Sequence, residues 1–368
     1  MTLNEDDKLA PGIDEAALSL LPCVECDPIV GGLEVRLHAM HLSQARDLVW
    51  PALWRALAFT AFQARALLGD SPFWLVSVRR PNGLPALLFA HLHAGRLRAG
   101  LTVTMVGPML APHEVWPVVD AIASRVSATA VQVEVVSTNP EANVPLDPHE
   151  TSRYRGERLY VVDLEPGCMP DANFSKNTKR NIAKGAKGGL TFFIGNDDAA
   201  FQRHLLLTNA SMDRRGRRGE DVSERASSER MRRLLKHGQG HLFQAVRDGV
   251  SLSSDFVFRC AGAAFYYDGG SSPEGMEVGS SHFLMANLLA RLYTEGCGAV
   301  NLGLARAGND GLARFKEGFG ARLVHVERVT ARRETAARLI RNLFRVRGSR
   351  ARRFEKPIKR AADPESKD

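Results

Sequence analysis

No stretch of this chain approaches about 18 consecutive apolar residues, so no segment reads as a membrane-spanning helix. The N-terminus, Met1-Thr2-Leu3-Asn4-Glu5-Asp6-Asp7, has neither the basic segment nor the apolar core of a secretory signal. The cytoplasm is therefore the expected compartment. Cysteine is scarce and odd in number: Cys23, Cys26, Cys168, Cys260 and Cys297 exclude a disulfide framework. Cys23-Val24-Glu25-Cys26 has the spacing of half a zinc site, but no second Cys/His pair follows it, and no metal is expected. The histidines, His91-Leu92-His93 among them, show no triad or metal-ligand spacing.

What is present is a soluble globular composition over 368 residues, 44% hydrophobic and 24% charged, enough for two domains of ordinary size. The net charge of +8 is not spread evenly. Residues 329–368 carry 13 Lys/Arg against 5 Asp/Glu, which accounts for the whole excess and leaves the body neutral. A basic tail on a neutral body argues against a nucleic-acid-binding fold whose entire surface is positive.

Apolar periodicity divides the chain into two blocks. Residues 1–34 read as a polar leader. The first block, 35–150, opens with helical spacing from Leu42 to Leu68, broken at Pro51. The strand-like runs 73–78 and 86–90 flank Asn82-Gly83, a hairpin signal. A strand at 102–106, a helix at 113–127 and a strand at 131–136 complete it. A Pro- and charge-rich connector, Asn139 to Glu157, leads to the second block, 151–330. There a strand at 159–164 precedes a basic helix at 175–187, stopped by Gly188-Gly189. Next come a strand at 190–194, a helix at 197–211, a hydrophilic loop at 213–219 and a helix ending near His237. A three-stranded meander (242–246, 251–258, 263–267), a helix at 280–295 and a strand at 299–302 close the block. Both blocks repeat one order of elements. The expected fold class is α/β (α+β), two mixed, mostly antiparallel sheets flanked by helices, followed by a basic amphipathic helix within 331–368.

Three segments of the second block carry a resemblance: Arg180-Asn181-Ile182-Ala183-Lys184-Gly185, Gly269-Gly270-Ser271-Ser272 as a turn, and Phe315-Lys316-Glu317-Gly318-Phe319-Gly320. Their order and spacing over about 155–328 resemble the FemAB-like branch of the GNAT acyltransferases. The resemblance implies tandem GNAT-like domains and transfer of an acyl or aminoacyl group to an amine, with acyl-CoA as the donor and a cell-envelope or polysaccharide precursor amine as the acceptor. It also implies two alternatives: an aminoacyl-tRNA-dependent peptidyltransferase of peptidoglycan-bridge type, and a non-catalytic membrane-associated module. The chain departs from acetyl-CoA-using relatives in lacking their Arg/Gln-x-x-Gly-x-Gly/Ala loop; Glu277-Val278-Gly279-Ser280-Ser281 is the nearest approach.

Acyl transfer needs a donor site, a base and a group facing the developing negative charge. By the resemblance, Phe315 stacks on the donor while Lys316 supplies charge, either to the oxyanion or to donor phosphates. Gly318 and Gly320 allow tight turns beside them and are assigned to the same substrate site. Arg180 and Lys184 of the basic helix are assigned to phosphates; a solvated basic face is the alternative. Asp255, in an otherwise apolar strand, is the expected base, because an unpaired buried carboxylate has a raised pKa. Tyr267 is the expected acid for the leaving group. The tail stripe Ala336, Leu339, Ile340, Leu343, Phe344 and Val346, with arginines elsewhere, fits an anionic membrane surface through 331–360, packing on the body, or a tRNA backbone. The protein is thus expected in the cytoplasm or peripheral at the inner membrane.

Overall fold

The computed structural model describes residues 23–26, 32–39, 73–81, 86–94, 99–106, 110–137, 151–164, 166–220, 222, 226–236, 238–260, 263–305 and 309–334. The first half contains β1 (Cys23–Glu25), β2 (Glu34–Ala39), β3 (Phe73–Arg79), β4 (Ala86–Ala94), β5 (Ala99–Val106), α1 (Pro112–Arg125) and β6 (Ala130–Ser137). The second begins with β7 (Thr151–Asp163), a 3-10 turn (Pro170–Asn173), α2 (Lys176–Lys187), β8 (Thr191–Ile194), α3 (Asp198–Arg217) and α4 (Ser228–Lys236). It continues through β9 (Gly240–Arg247), β10 (Val250–Cys260), β11 (Ala263–Ser271), α5 (Pro273–Val278) and α6 (Ser280–Thr294). The elements β12 (Ala299–Leu304), α7 (Asp310–Gly318) and β13 (Arg322–Glu334) complete it.

Among the described residues the strands join into one sheet, ordered β1-β2-β3-β4-β5-β6-β13-β7-β12-β11-β10-β9-β8. Strand β13 lies between the halves, antiparallel to β6 on one side and to β7 on the other. Counted with β13, each half is a seven-stranded mixed sheet with a single parallel pair, β5/β6 in one and β11/β12 in the other. Each parallel pair is bridged by helix, as a parallel connection requires. The expected tandem α/β architecture is what the chain adopts.

Helix α1 buries Val115, Val118, Val119 and Ile122, a stripe at i, i+3, i+4 and i+7, on Val76, Val78, Leu88, Val103 and Met105 of the sheet. Its first turn is fixed by Glu114, which accepts the Ala111 backbone N–H at 2.8 Å and pairs with Arg80. That pairing holds the Glu114 carboxyl at about 2, below its ordinary 4.5. In the second half α6 buries Leu284, Met285, Leu288, Leu289 and Leu292 against Phe243, Val257, Val300 and Leu302. By the area rule each such leucine contributes roughly 1.5–3 kcal/mol.

Several expectations are corrected. Cys23–Glu25 is not leader but an edge strand, paired Cys23↔His38 to Glu25↔Arg36; all three residues are exposed, so no apolar alternation marked it. The connector ends earlier than expected, since β7 already begins at Thr151 and ladders onto β13. Residues 213–217 continue α3 rather than forming a loop: arginine is a good helix former, and Arg214 anchors the turn by donating to the Ser271 carbonyl at 2.7 Å. Gly269-Gly270-Ser271 lies within β11 and is not a turn. Residues 331–334, expected as the start of a helix, are strand, and Ala331 is fully buried. The helical pattern at 42–68, the Asn82-Gly83 turn, connector residues 139–150 and tail residues 335–368 lie outside the described residues.

Candidate active site

The two parallel pairs differ in one respect. Strands β5 and β6 are laddered over seven residues, Gly100↔Ala130 to Val106↔Val136. Strands β11 and β12 are laddered over three, Ala263↔Ala299 to Phe265↔Asn301, and then part. Two local causes are visible. On β12, Gly303 takes φ +73°, and its N–H is drawn back to the Asn301 side-chain oxygen at 2.7 Å, a conformation suited to glycine. On β11, the register against β10 jumps from Val257↔Tyr266 to Phe256↔Asp268, leaving Tyr267 as the extra residue of a bulge. The second half therefore carries an opening between adjacent strands where the first half is closed.

At that opening the Tyr266 hydroxyl donates to Asp255 Oδ1 at 2.9 Å. Asp255 is 6% exposed, and burial, helped by the nearby Asp268 charge, pushes its carboxyl up to about 7 although the Tyr266 bond opposes this. Burial and the Asp255 charge push the Tyr266 hydroxyl well above its ordinary 10, so it remains a donor at neutral pH. The hydroxyl lies where Gly269 would carry a side chain: a Cβ there would collide with Tyr266 and come 2.5 Å from Asp255 Oδ1. Gly270 serves the opposite face, where a Cβ would sit 2.5 Å from the α3 backbone at Leu207 and Thr208. The double glycine is thus explained by close approach on both sides of β11 rather than by turning.

Lys316 projects from α7 to the end of β12. It is 5% exposed, its Nζ donates to the Leu304 carbonyl at 2.7 Å, and it sits 5.5 Å from the centre of the Tyr160 ring. Desolvation lowers its ammonium to about 7 from an ordinary 10.5. Phe315 and Phe319 pack edge-on at 5.1 Å, with His282 against both, and burial lowers the His282 pKa. Gly318 lies against Thr178, and its carbonyl accepts the Ser175 N–H at 2.9 Å, so this glycine docks α7 onto the start of α2. Gly320 takes φ +75° and ends α7 against Asn173. Gly318 is buried in this packing and Gly320 is exposed but left-handed, which gives a structural reason for each.

Arg180 and Lys184 are exposed on α2, with Arg180 bonded to Asn177 Oδ1 at 2.8 Å. The opposite side of α2 packs on α6: a Cβ on Gly279 would meet the Asn181 carbonyl at 2.7 Å, and one on Gly185 would meet Phe283 at 2.9 Å. The α6 N-terminus is therefore covered by α2 and is not an open cradle for a pyrophosphate. Tyr267 does not join Asp255. It packs among Phe256, Phe258 and Phe265 and receives a bond from Arg230 at 3.3 Å. The neighbour Tyr266 is the tyrosine brought to Asp255. Only the bulge decides between them, and nothing in Phe265-Tyr266-Tyr267-Asp268 announces it.

A family model described as an acetyltransferase (GNAT) domain matches residues 172–317, a span that holds Asp255, Tyr266 and Lys316. A crystal structure of FemX superposes with a TM-score of 0.53 at 11% identity, covering 79% of this chain and 96% of that one. The C-terminal domain of a putative lysylphosphatidylglycerol synthetase from Agrobacterium fabrum gives 0.44 at 16% identity, covering 83% and 97%. A tandem GNAT protein from the clavulanic acid biosynthesis pathway gives 0.46 at 13%, covering 82% and 98%. No curated protein matches the sequence. The chain shares the FemX fold, and residues 172–317, which include the opening between β11 and β12, are similar to a GNAT acetyltransferase domain.

Proposed function

We propose that this protein forms an amide by transferring an acyl group from a thioester donor, acyl-CoA, to an amine, and that the second half alone is catalytic. The observation that carries this reading is the parting of β11 and β12 beside a buried Asp255–Tyr266 pair, whereas β5 and β6, which hold a buried Thr104–Glu134 pair, stay laddered over seven residues. Strand edges that are not laddered to each other offer backbone groups to an extended ligand, as in strand-addition recognition. The donor's thioester arm lies along that opening, with its phosphates at Arg180 and Lys184 of α2.

In the reaction the amine nitrogen attacks the thioester carbonyl; the C–N bond forms and the C–S bond breaks. The proton lost by nitrogen passes to the Tyr266 oxygen as Tyr266 passes its own to Asp255. A carboxylate with a pKa of about 7 suits that task near neutral pH. The leaving thiolate takes a proton from Lys316, whose ammonium at about 7 is more acidic than an ordinary thiol at about 8.5, so the transfer is downhill. Exchange with solvent returns Asp255 and Lys316 to their starting states.

The test is calorimetric titration with acetyl-CoA and a medium-chain acyl-CoA, followed by thiol release in the presence of an amine mixture. Micromolar donor binding, and turnover lost in Asp255→Asn and Tyr266→Phe, are expected. Donor binding absent from the folded protein, or turnover unchanged in both variants, overturns the reading.

A further inference from the structure

Helix α2 carries Lys176, Lys179, Arg180, Lys184 and Lys187 and no acidic residue in its 12 residues, about 18 Å of helix. All five cations are exposed. At about 3.6 residues per turn they fall on one face, with the small Ala183 exposed among them and the buried Thr178 and Gly185 opposite.

This charge does not serve the helix itself. Lys184 and Lys187 in the last turn suit the helix dipole, but Lys176 and Lys179 stand at its start, where a cation is unfavourable. Like charges four residues apart, Lys176 with Arg180 and Arg180 with Lys184, repel as well. Nor is the charge matched from within. Arg180 bonds to the neutral Asn177 side chain, and none of the five has an ion pair among the described residues. On α3, α4 and β9, by contrast, Arg215 pairs with Glu220, Arg232 with Asp198 and Arg247 with Glu274. A face that costs helix stability and finds no counter-charge in the fold is complementary to an anionic surface supplied from outside.

The position of α2 ties that surface to the donor. Ile182 of α2 and Tyr266 pack on the same core cluster, and α2 covers the α6 N-terminus at Gly279. A free nucleotide therefore has no helix N-terminus to sit on at α6, and it meets cations that stay in water, where each contact is worth little. No aromatic residue lies on α2 for a base to stack on, which disfavours RNA. A protein anion spreads several carboxylates along the whole ridge, and Ala183 lets an acidic helix lie close.

We propose that the outer face of α2 docks an acidic acyl carrier protein, whose phosphopantetheine arm delivers the thioester to the opening between β11 and β12. The proposal rests on the acyltransferase reading and names the carrier of its donor. Lys176, Lys179 and Lys187 meet carboxylates of the carrier. Arg180 and Lys184 take the phosphodiester at the root of the arm, in the place of the CoA phosphates. Bonds change as in the reaction above: the amine nitrogen displaces the arm's sulfur, and the released thiol stays attached to the carrier. Acyl-CoA, which bears the same arm, is a donor without the docking contribution.

A bacterial acyl carrier protein loaded with an octanoyl thioester is compared with octanoyl-CoA and octanoyl-pantetheine by thiol release in an amine mixture. The apo carrier, which lacks the arm and cannot react, is titrated by calorimetry. The loaded carrier should have a KM roughly tenfold below that of octanoyl-CoA at low salt, and apo-carrier affinity should fall as salt is raised. Lys179→Glu with Ala183→Glu should weaken the apo carrier and raise the loaded carrier's KM by roughly tenfold or more. Octanoyl-pantetheine turnover and the thermal transition should be unchanged in that variant. Carrier binding indifferent to both changes, or turnover of octanoyl-CoA with no carrier binding, overturns the docking surface and leaves the transferase reading standing. Tighter binding of bulk tRNA than of the carrier, lost in the same variant, overturns it in favour of RNA. Carrier binding that follows the variant, with no acyl transfer from any of the three donors, refutes only the transferase reading.

Discussion

Replacing Lys316 by methionine should stabilise the protein below neutral pH while destroying turnover. The side chain is 5% exposed, and desolvation takes its ammonium from 10.5 to about 7. The sign follows from proton counting. Below about pH 7 the lysine is charged in both states, and the folded protein bears the full cost of the buried charge. As pH rises from about 7 to 10.5 the folded state sheds its proton first, and stability recovers. At about 1.4 kcal/mol per tenfold change in proton affinity the cost is on the order of 5 kcal/mol. Methionine removes that cost but leaves the Leu304 carbonyl without its donor, about 1–3 kcal/mol, and gives up the Tyr160 ring contact. The net expectation is a gain of about 1–3 kcal/mol at pH 6, a loss of similar size at pH 10.5, and a crossover between about pH 8 and 10. Urea denaturation of both proteins across that range measures the difference directly, with other titrating groups cancelling. A variant less stable at pH 6, or a difference independent of pH, would refute the claim that Lys316 is a strained functional group; it would then be a structural cap for Leu304.

Turnover should pass through a maximum near pH 7, rising as Asp255 ionises and falling as Lys316 loses its proton, and the acid limb alone should vanish in Asp255→Asn; an unchanged acid limb assigns it elsewhere. The same variant should flatten the fall in stability expected between about pH 4 and 7, where the folded state holds the Asp255 proton more tightly than the unfolded chain. Gly270→Ala should cost at least about 1–3 kcal/mol in chemical denaturation, because the new methyl meets rigid α3 backbone rather than a movable side chain. Arg180→Ala with Lys184→Ala should raise the KM for acyl-CoA and weaken its salt dependence with kcat little changed, measured by thiol release at two ionic strengths. Deleting 335–368 should abolish binding to anionic vesicles in a flotation assay; cutting at 331 instead removes the end of β13 and the buried Ala331.

The elements that were legible in the sequence are those whose periodicity is strong and local. The α1 stripe, the basic run of α2, the β9–β10–β11 meander and the apolar α6 all fall within a few residues of where spacing places them. Asp255 stood out because a carboxylate among Phe256, Val257 and Phe258 needs an explanation, and the structure supplies a buried one. What could not be read depends on contacts distant in sequence. The β11 bulge, which brings Tyr266 rather than Tyr267 to Asp255, is settled by β10. The glycine pair 269–270 looked like a turn because its real cause, a tyrosine hydroxyl on one side and α3 backbone on the other, leaves no local mark.

Strand β13, the last strand among the described residues, gives the chain an unusual dependence on a segment made late. Arg332 bonds to Gln132 two hundred residues upstream, and the same strand runs along β7 on its other edge. During synthesis both halves are made before the strand that seals them, so β6 and β7 emerge as open edges able to recruit each other or another chain. Closure waits for pairings of very large sequence separation, which are slow to form. Chaperone dependence of folding yield should therefore be governed by the availability of residues 322–334, and a separately supplied peptide of that sequence should rescue a chain truncated before Arg322.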